Sequence, residues 1–371
     1  MSAKKEAYNK YEYWLAGIAA LPGRKKIYLK NLLGEAKRLY CMPGERLEQI
    51  PILTEYEKEG IRAAKKKTEE DLEKELAYCR QKGIMLAVWQ EAAYPVRLEH
   101  IYNPPYGLFY RGKFPDGGQK AVSVVGARNC TCYGKTVAQQ VGKELAAAGI
   151  LVVSGMAAGI DGAAQQGALY GGGSTLGVLG CGVDICYPAA NRELYERLAT
   201  DGCVVSEYPP RTRPLALNFP QRNRIISGLS DVVLVVEARE QSGSLITVDF
   251  ALEQGKDIYA VPGRISDLSS GGTNRLIQQG AGIYLNMENF LESMHIFAKT
   301  EENSCKKQKL SLENLERLVY SCLDLTPRNL ESLWAETGLD LGRLVETLGT
   351  LQEMGVVSEV FKNYYIRSDT D

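Results

Sequence analysis

Apolar residues recur at helical spacing near the start of the chain, in Tyr13-Trp14-Leu15-Ala16-Gly17-Ile18 and again in Tyr28-Leu29-Lys30-Asn31-Leu32-Leu33. Leu21-Pro22-Gly23 and Met42-Pro43-Gly44 interrupt that pattern as turns. The spacing predicts a unit of short helices over 1–75, with 63–75 as a charged, solvent-facing helix. Paired helices joined by a Pro-Gly turn occur both in modules that touch DNA backbone through helix N-terminal amides and in plain helical packing units.

From Gly83 the period changes. Ile84-Met85-Leu86-Ala87-Val88-Trp89 reads as a strand, and Tyr94-Pro95 and Asn103-Pro104-Pro105 as extended loops. Wholly apolar runs then alternate with helical segments. Ala121-Val122-Ser123-Val124-Val125 precedes a helix over 135–148, which Gly149 closes. Ile150-Leu151-Val152-Val153 precedes one over 159–170, and Leu176-Gly177-Val178-Leu179 one over 192–199. Val204-Val205 is a short strand, and Ile225-Ile226 opens a helical stretch. Val232-Val233-Leu234-Val235-Val236 precedes a helix over 245–254, followed by Ile258-Tyr259-Ala260-Val261. Short apolar strands alternating with helices specify an α/β fold built on a doubly wound, mostly parallel sheet. Such sheets bind ligands at the carboxyl ends of their strands, so function is sought in the loops that follow strands.

A polar stretch at 300–308 separates a third unit, 309–368. Its first helix spans 312–323. Thr326-Pro327 reads as an N-cap with proline at the first helical position, opening a helix over 328–337 that Gly338 ends. A third helix over 340–354 places Leu341, Leu344, Val345, Leu348 and Leu351 on one face. Two strands, 356–360 and 364–366, joined at Lys362-Asn363, complete a helix-helix-helix-wing order.

Composition narrows the chemistry. The 371 residues are 45% apolar and 24% charged, an ordinary globular composition, and at roughly 100–200 residues per domain they suggest two or three domains. No apolar run reaches the ~18 residues of a membrane span. Met1-Ser2-Ala3-Lys4-Lys5 has no apolar region behind it, so no signal peptide is expected and the cytoplasm is the expected compartment. His100 and His295 are the only histidines, and neither sits in a motif, which argues against a Ser-His-Asp triad or a His-rich metal site. Nine cysteines without a CxxC pair read as a reduced pool of small hydrophobes.

The net charge of −1 hides an asymmetry: residues 1–67 carry 15 Lys+Arg against 8 Asp+Glu, and 311–371 carry 5 against 11. A protein that coats nucleic acid through bulk charge shows an overall basic surplus. Here a polyanion would have to be held by a local cluster. The N-terminal surplus also suits a solvated helical surface.

The loop after the first buried strand, Gly126-Ala127-Arg128-Asn129-Cys130-Thr131-Cys132-Tyr133-Gly134, offers backbone amides at a helix start. Arg128 adds a cation of bidentate geometry. GxGxxG fails because Arg128 stands at its second glycine. GxxxxGK[ST] fails because Asn129 stands at its first, ahead of Gly134-Lys135-Thr136. Further strand-to-helix loops follow at Ser154-Gly155-Met156-Ala157-Ala158-Gly159-Ile160-Asp161, Gly180-Cys181-Gly182-Val183-Asp184, Phe219-Pro220-Gln221-Arg222-Asn223-Arg224 and Gln241-Ser242-Gly243-Ser244-Leu245. Together they predict a phosphate-lined rim to which Arg128, Arg222 and Arg224 contribute charge. Each arginine alone also suits a surface salt bridge.

The series Val125-Gly126-Ala127-Arg128, Ser154-Gly155-Met156-Ala157-Ala158-Gly159-Ile160-Asp161, Gly182-Val183-Asp184…Tyr187-Pro188, Ser206-Glu207-Tyr208-Pro209, Phe219-Pro220-Gln221-Arg222-Asn223-Arg224-Ile225-Ile226-Ser227, Ser242-Gly243-Ser244-Leu245-Ile246-Thr247 and Val261-Pro262-Gly263 resembles the DNA-processing protein A (DprA/Smf) family over about 80–295. The resemblance implies an extended Rossmann-like domain over 80–297, between a SAM-like helical domain over 1–75 and a winged-helix domain over 309–368. It implies a single-stranded DNA binder that protects incoming DNA in natural transformation and loads the RecA recombinase. It also implies a homodimer formed through the Rossmann-like domain, with no metal or nucleotide cofactor, no membrane and no catalytic residue. Carried onto this sequence, the DNA-binding residues are Gly126, Arg128, Tyr133, Gly155, Gly159, Ser174, Arg222, Asn223, Arg224, Ser242, Gly243 and Ser244.

Two positions depart from the family pattern. Ser174 stands where many members carry Lys or Arg, and Gln165 where many carry His. Arg24, Lys25 and Lys26 are candidates to make up the missing charge. Tyr133, Tyr187 and Phe219 are candidates for stacking on bases, and equally for packing. The acidic third helix of the last unit, with Asp340, Glu346 and Glu353, favours protein contact or regulation over phosphate binding. Two other classes stay open on the residues alone. One is a phosphoribohydrolase of the lysine-decarboxylase-like family, whose Pro-Gly-Gly-x-Gly-Thr-x-x-Glu loop this chain lacks. The other is a nucleotide-binding module.

Overall fold

The computed structural model describes residues 9–115, 117–294 and 314–368. The predicted polar stretch 300–308, the start of the third unit at 309–313, His295 and Cys305 lie outside the described residues. The chain divides into two units: residues 1–129 with 138–289, and residues 130–137 with 290–371. Among the described residues no helix is long and apolar enough to cross a membrane.

The first unit opens with short helices, Lys10–Ala16, Gly23–Leu33, Ala36–Tyr40, Gly44–Glu48, Glu55–Ala64 and Glu69–Gln81. The expected helix over 63–75 is two helices. Thr68 accepts from the Asp71 amide while Asp71 returns a bond to the Thr68 amide, so a capping box starts a new helix there. Thr54 and Glu57 do the same one helix earlier.

A nine-stranded sheet follows: β1 (Met85–Val88), β2 (Gly107–Gly112), β3 (Ala121–Val125), β4 (Leu151–Ser154), β5 (Thr175–Val178), β6 (Cys203–Ser206), β7 (Val232–Val235), β8 (Asp257–Ala260) and β9 (Gly282–Ile283). Its order is β1-β2-β6-β5-β4-β3-β7-β8-β9. The strands from β6 to β9 run parallel, and β1 and β2 pair antiparallel. This is the extended, doubly wound, mostly parallel α/β sheet expected. The apolar run of each parallel strand reflects burial on both faces. One core cluster joins Leu86, Phe109 and Val204 to Trp14, Leu29, Leu39 and Ile61 of the N-terminal helices. The other joins Leu108, Tyr110, Val153 and Val233 to Ile225, Val248 and Ala251. Phe109 lies in the first cluster and its neighbours Leu108 and Tyr110 in the second, which is the alternation of a strand.

In the second unit, helices Asn314–Ser321, Leu330–Thr337 and Leu341–Glu353 precede strands Val357–Phe361 and Tyr364–Arg367. The second helix begins two residues later than Thr326-Pro327 suggests. Arg328–Asn329 is drawn into the small sheet beside Tyr364 and Tyr365, and the Asn329 side chain caps the helix by accepting from the Ser332 amide at 2.7 Å. Gly338 ends that helix with φ 65°, as expected. On the third helix Leu344, Leu348 and Leu351 are buried, whereas Leu341 and Val345 are exposed.

Candidate phosphate-binding cleft

The loops that leave the carboxyl ends of β3, β4 and β7 enclose a cleft of about 760 Å³ with the start of the helix Asn218–Gly228. Seven of the expected residues line it: Gly126, Arg128, Arg222, Asn223, Ser242, Gly243 and Ser244.

Arg128 is exposed at the mouth and, among the described residues, makes no hydrogen bond or ion pair. Its guanidinium carbon lies 5.5 Å from the centre of the Phe219 ring, and that of Arg222 lies 5.8 Å from the same ring. Tyr187 stands beside Phe219 with ring centres 5.4 Å apart. Cation–π contact of this kind fixes a guanidinium without consuming its N–H donors.

Arg222 is buried, with 4% of its surface exposed. Nη1 donates to the Gly155 carbonyl at 3.0 Å and to the Val178 carbonyl, and Nε to Asn223 Oδ1 at 3.2 Å. Among the described residues no acceptor bonds Nη2. Burial lowers the Arg222 pKa to about 10, against the pull of Asp161 and with a further push from Arg128. Asp161, in the first turn of the helix Ile160–Tyr170, is pushed up by its own burial and held down in turn by Arg222. Its Oδ2 accepts from the Gly155 amide at 3.1 Å. The result is a buried guanidinium and carboxylate fixed under the cleft floor, with one guanidinium nitrogen still available to an anion.

Two glycines make this geometry possible. A Cβ on Gly155 would sit 2.7 Å from both Arg222 Nη2 and Asp161 Oδ2. Gly159 has φ 79°, and a Cβ there would lie 2.3 Å from the Ala127 carbonyl oxygen, so only glycine lets the second loop press against the first. On the third wall, Asn223 Nδ2 reaches the Gly243 carbonyl at 3.5 Å, and the Ser242 and Ser244 hydroxyls are 2.8 Å apart.

Three expected residues are placed elsewhere. Arg224 faces away from the cleft, and its guanidinium is taken up by the carboxylate of Glu207. Ser174 immediately precedes β5, at the amino edge of the sheet, opposite the edge that carries the cleft. Its hydroxyl does not line the cleft with Arg128 and Arg222. Tyr133 is half-buried in the first turn of the helix Cys132–Ala147 and belongs to the second unit. Gln165 is fully buried, with Nε2 3.4 Å from Thr175 Oγ1 and, among the described residues, no hydrogen-bond partner for Oε1. Of the N-terminal basic residues, Lys25 pairs with Glu57 at 2.6 Å, and Arg24 donates to the Tyr102 hydroxyl at 2.8 Å. Two residues that sequence reasoning assigned no part also line the cleft, Asp161 and the exposed Arg239. Asp161 was signalled by its place in the first turn of a helix beside a phosphate-type loop, and Arg239 by following the apolar run of β7.

The fold and the cleft define a Rossmann-like protein whose strand-end loops bring the Ser242 and Ser244 hydroxyls and the side chains of Arg128, Arg222 and Arg239 onto one cleft. The chain belongs to the DNA recombination-mediator protein A family, whose model matches residues 85–295. It is 41% identical over 251 residues to the DNA processing protein DprA of Bacillus subtilis, covering 66% of this chain and 84% of that protein. It is 46% identical over 193 residues to DprA of Streptococcus pneumoniae, covering 51% of this chain and 66% of that one. The X-ray structure of the S. pneumoniae protein superposes with a TM-score of 0.67 at 33% identity, over 77% of this chain and 98% of that one. A structure describing the single-stranded DNA binding mode of DNA processing protein A from Helicobacter pylori superposes with a TM-score of 0.51 at 30% identity, over 57% and 96% of the two chains.

Proposed function

We propose that this chain binds single-stranded DNA in the cleft, protects it during natural transformation and loads the RecA recombinase onto it. The observation that carries the proposal is the unpaired guanidinium of Arg128, held over Phe219 beside Arg222 at the strand ends. Arg128 and the Arg222 Nη2 hold phosphates, and Gly126, Asn223, Ser242, Gly243 and Ser244 shape the path of the strand. Tyr187 and Phe219 offer faces to unpaired bases, at about 1–3 kcal/mol per stacked base. A duplex keeps its bases inside and gains nothing from those rings. The single-stranded DNA binding named for the H. pylori relative supports the same reading.

The protein acts by binding, in the cytoplasm, without turnover, metal or nucleotide. It works as a homodimer formed through the Rossmann-like domain, which places two sites on one strand and raises avidity. It comprises a helical domain over 1–75, a DNA-binding domain over 80–297 and a winged-helix domain over 309–368, the last serving protein contact. Titration with single- and double-stranded oligonucleotides across salt, followed by RecA loading on protein-coated strands, tests the proposal. Preferential binding of single strands and faster RecA filament formation are expected. Equal affinity for duplex, or loading no faster than on bare strands, overturns it.

A further inference from the structure

A second cavity of about 280 Å³ lies in the first unit and shares no lining residue with the cleft. It is walled by the turn between the helices Lys10–Ala16 and Gly23–Leu33, by Lys26, and by Asn103, Glu207, Tyr208 and Arg224. Ala19 and Gln221, both exposed, reach it from solvent.

Its charge is unusual for so buried a place. Lys26 is 7% exposed and Arg224 5%. Glu207 is the one carboxylate among the lining residues, and Arg224 occupies both of its oxygens, at 2.8 and 2.6 Å. Lys26 Nζ donates to the Ala16 carbonyl at 2.7 Å, its single acceptor among the described residues. An ammonium has three donors, so two remain for whatever enters. The Arg224–Glu207 pair is neutral as a unit, and the Lys26 charge is left without a bonded counter-ion. Such a buried charge is costly unless it is compensated. Burial accordingly lowers the Lys26 pKa to about 8, with Glu207 opposing and Arg224 reinforcing the shift. The helix Gly23–Leu33 begins at the same cavity; Pro22 supplies no side-chain acceptor there, and Asn103 Oδ1 accepts from the Arg24 amide at a long 3.4 Å. Its amino end adds a partial positive charge. The volume falls just below the ~300 Å³ at which pockets for whole small molecules begin, which suits a single anionic group rather than a nucleoside.

We propose that this cavity is a second anion site that takes a phosphate group on Lys26 Nζ and the amino end of the helix Gly23–Leu33. The phosphate is either free in solution or carried by a nucleic-acid strand. The site stands on Lys26 and its surroundings, independently of what the cleft binds.

The test uses the full chain and inorganic phosphate at constant ionic strength, with acetylation rates read residue by residue by mass spectrometry. Phosphate slows acetylation of Lys26 at least fivefold and saturably, while Lys25, paired with Glu57, serves as the internal reference. Equal Lys26 rates with and without phosphate overturn the site. In parallel, phosphate raises the Tm of the wild-type chain and of Arg128→Ala, and adding Lys26→Met to Arg128→Ala abolishes the rise. A rise kept by Lys26→Met and lost by Arg128→Ala assigns the ion to the cleft and overturns the proposal. Should Lys26→Met not fold, the wild-type protection decides alone. A single-stranded oligonucleotide that also protects Lys26 identifies the strand as the source, and protection by phosphate but not by the oligonucleotide identifies the free ion. Failure here leaves the cleft reading intact, because that reading is tested by oligonucleotide binding to Arg128→Ala.

Discussion

Arg224 donates through Nη1 and Nη2 to the two carboxylate oxygens of Glu207, at 2.8 and 2.6 Å, while its Nε donates to the Asn103 carbonyl at 2.8 Å. With side-chain exposures of 6% and 19%, the two form a largely buried, bidentate pair. Arg224 therefore ties the helix Asn218–Gly228 to the segments around Asn103 and Glu207.

Removing one partner of such a pair strands the other charge. Arg224→Ala should lower the unfolding free energy by about 3–5 kcal/mol, whereas Arg128→Ala, which removes an exposed side chain, should change it by no more than about 0.5 kcal/mol. Urea denaturation of both variants measures this. An Arg224→Ala midpoint equal to that of the wild type would sink the assignment.

The same two variants should separate oppositely on DNA. Arg128→Ala should weaken single-strand binding at least about tenfold, or 1.4 kcal/mol, and make the slope of log K against log salt shallower by about 0.7 for the one phosphate lost. Fluorescence anisotropy at four or five salt concentrations reads both quantities. An unchanged slope removes Arg128 from the phosphate path.

Gly155→Ala places a methyl group 2.7 Å from Arg222 Nη2 and Asp161 Oδ2. Arg222 must then give up its present position beneath the cleft. The variant should fold with a loss of about 1–3 kcal/mol and lose single-strand affinity even though no charge has been removed. Wild-type affinity in a folded Gly155→Ala chain would show that Arg222 contributes nothing to binding.

Ser174 lies at the amino edge of the sheet, so Ser174→Ala should leave single-strand affinity within about twofold of the wild type, under 0.5 kcal/mol. A tenfold loss in the same anisotropy assay would place a DNA contact on that edge after all.

Lys26 gives a pH dependence of definite sign. Its pKa is about 8 in the folded chain against an ordinary value of 10.5. Below pH 8 both folded and unfolded chains carry the proton, and the full penalty of burying the charge stands. Between 8 and 10.5 the unfolded chain holds a proton that the folded chain has released, so the Lys26 contribution to stability improves as pH rises through that window. The difference in unfolding free energy between the wild type and Lys26→Met, followed across that range in phosphate-free buffer, should shift in favour of the wild type. A flat difference would mean that Lys26 titrates normally.

Much of this protein is written locally. Val122, Val152 and Val233 lie in runs too short and too apolar for surface helices, and their alternation with helical segments compels a parallel sheet with its ligand loops at one edge. Gly126 and Arg128 follow directly, as the residues after the first such strand. The antiparallel strand β2 was not legible, because the run Leu108-Phe109-Tyr110 follows Pro104-Pro105 and leads into no helix, so it stands outside the strand–helix alternation that marks the others. Both of its faces are covered, one by a cluster that includes the N-terminal helices and the other by the second core.

What the sequence by itself determined is the sheet, the edge on which ligands meet it, and the glycine and arginine of its first loop, since each depends on the period and order of neighbouring residues. Tertiary structure alone decided which arginine serves the cleft. Arg222 and Arg224 stand two positions apart on one helix, about 200° around its axis, so they must face different ways. The packing of Gly155 and Val178 on one side, and of Glu207 and Asn103 on the other, turns the first toward the groove and commits the second to the core.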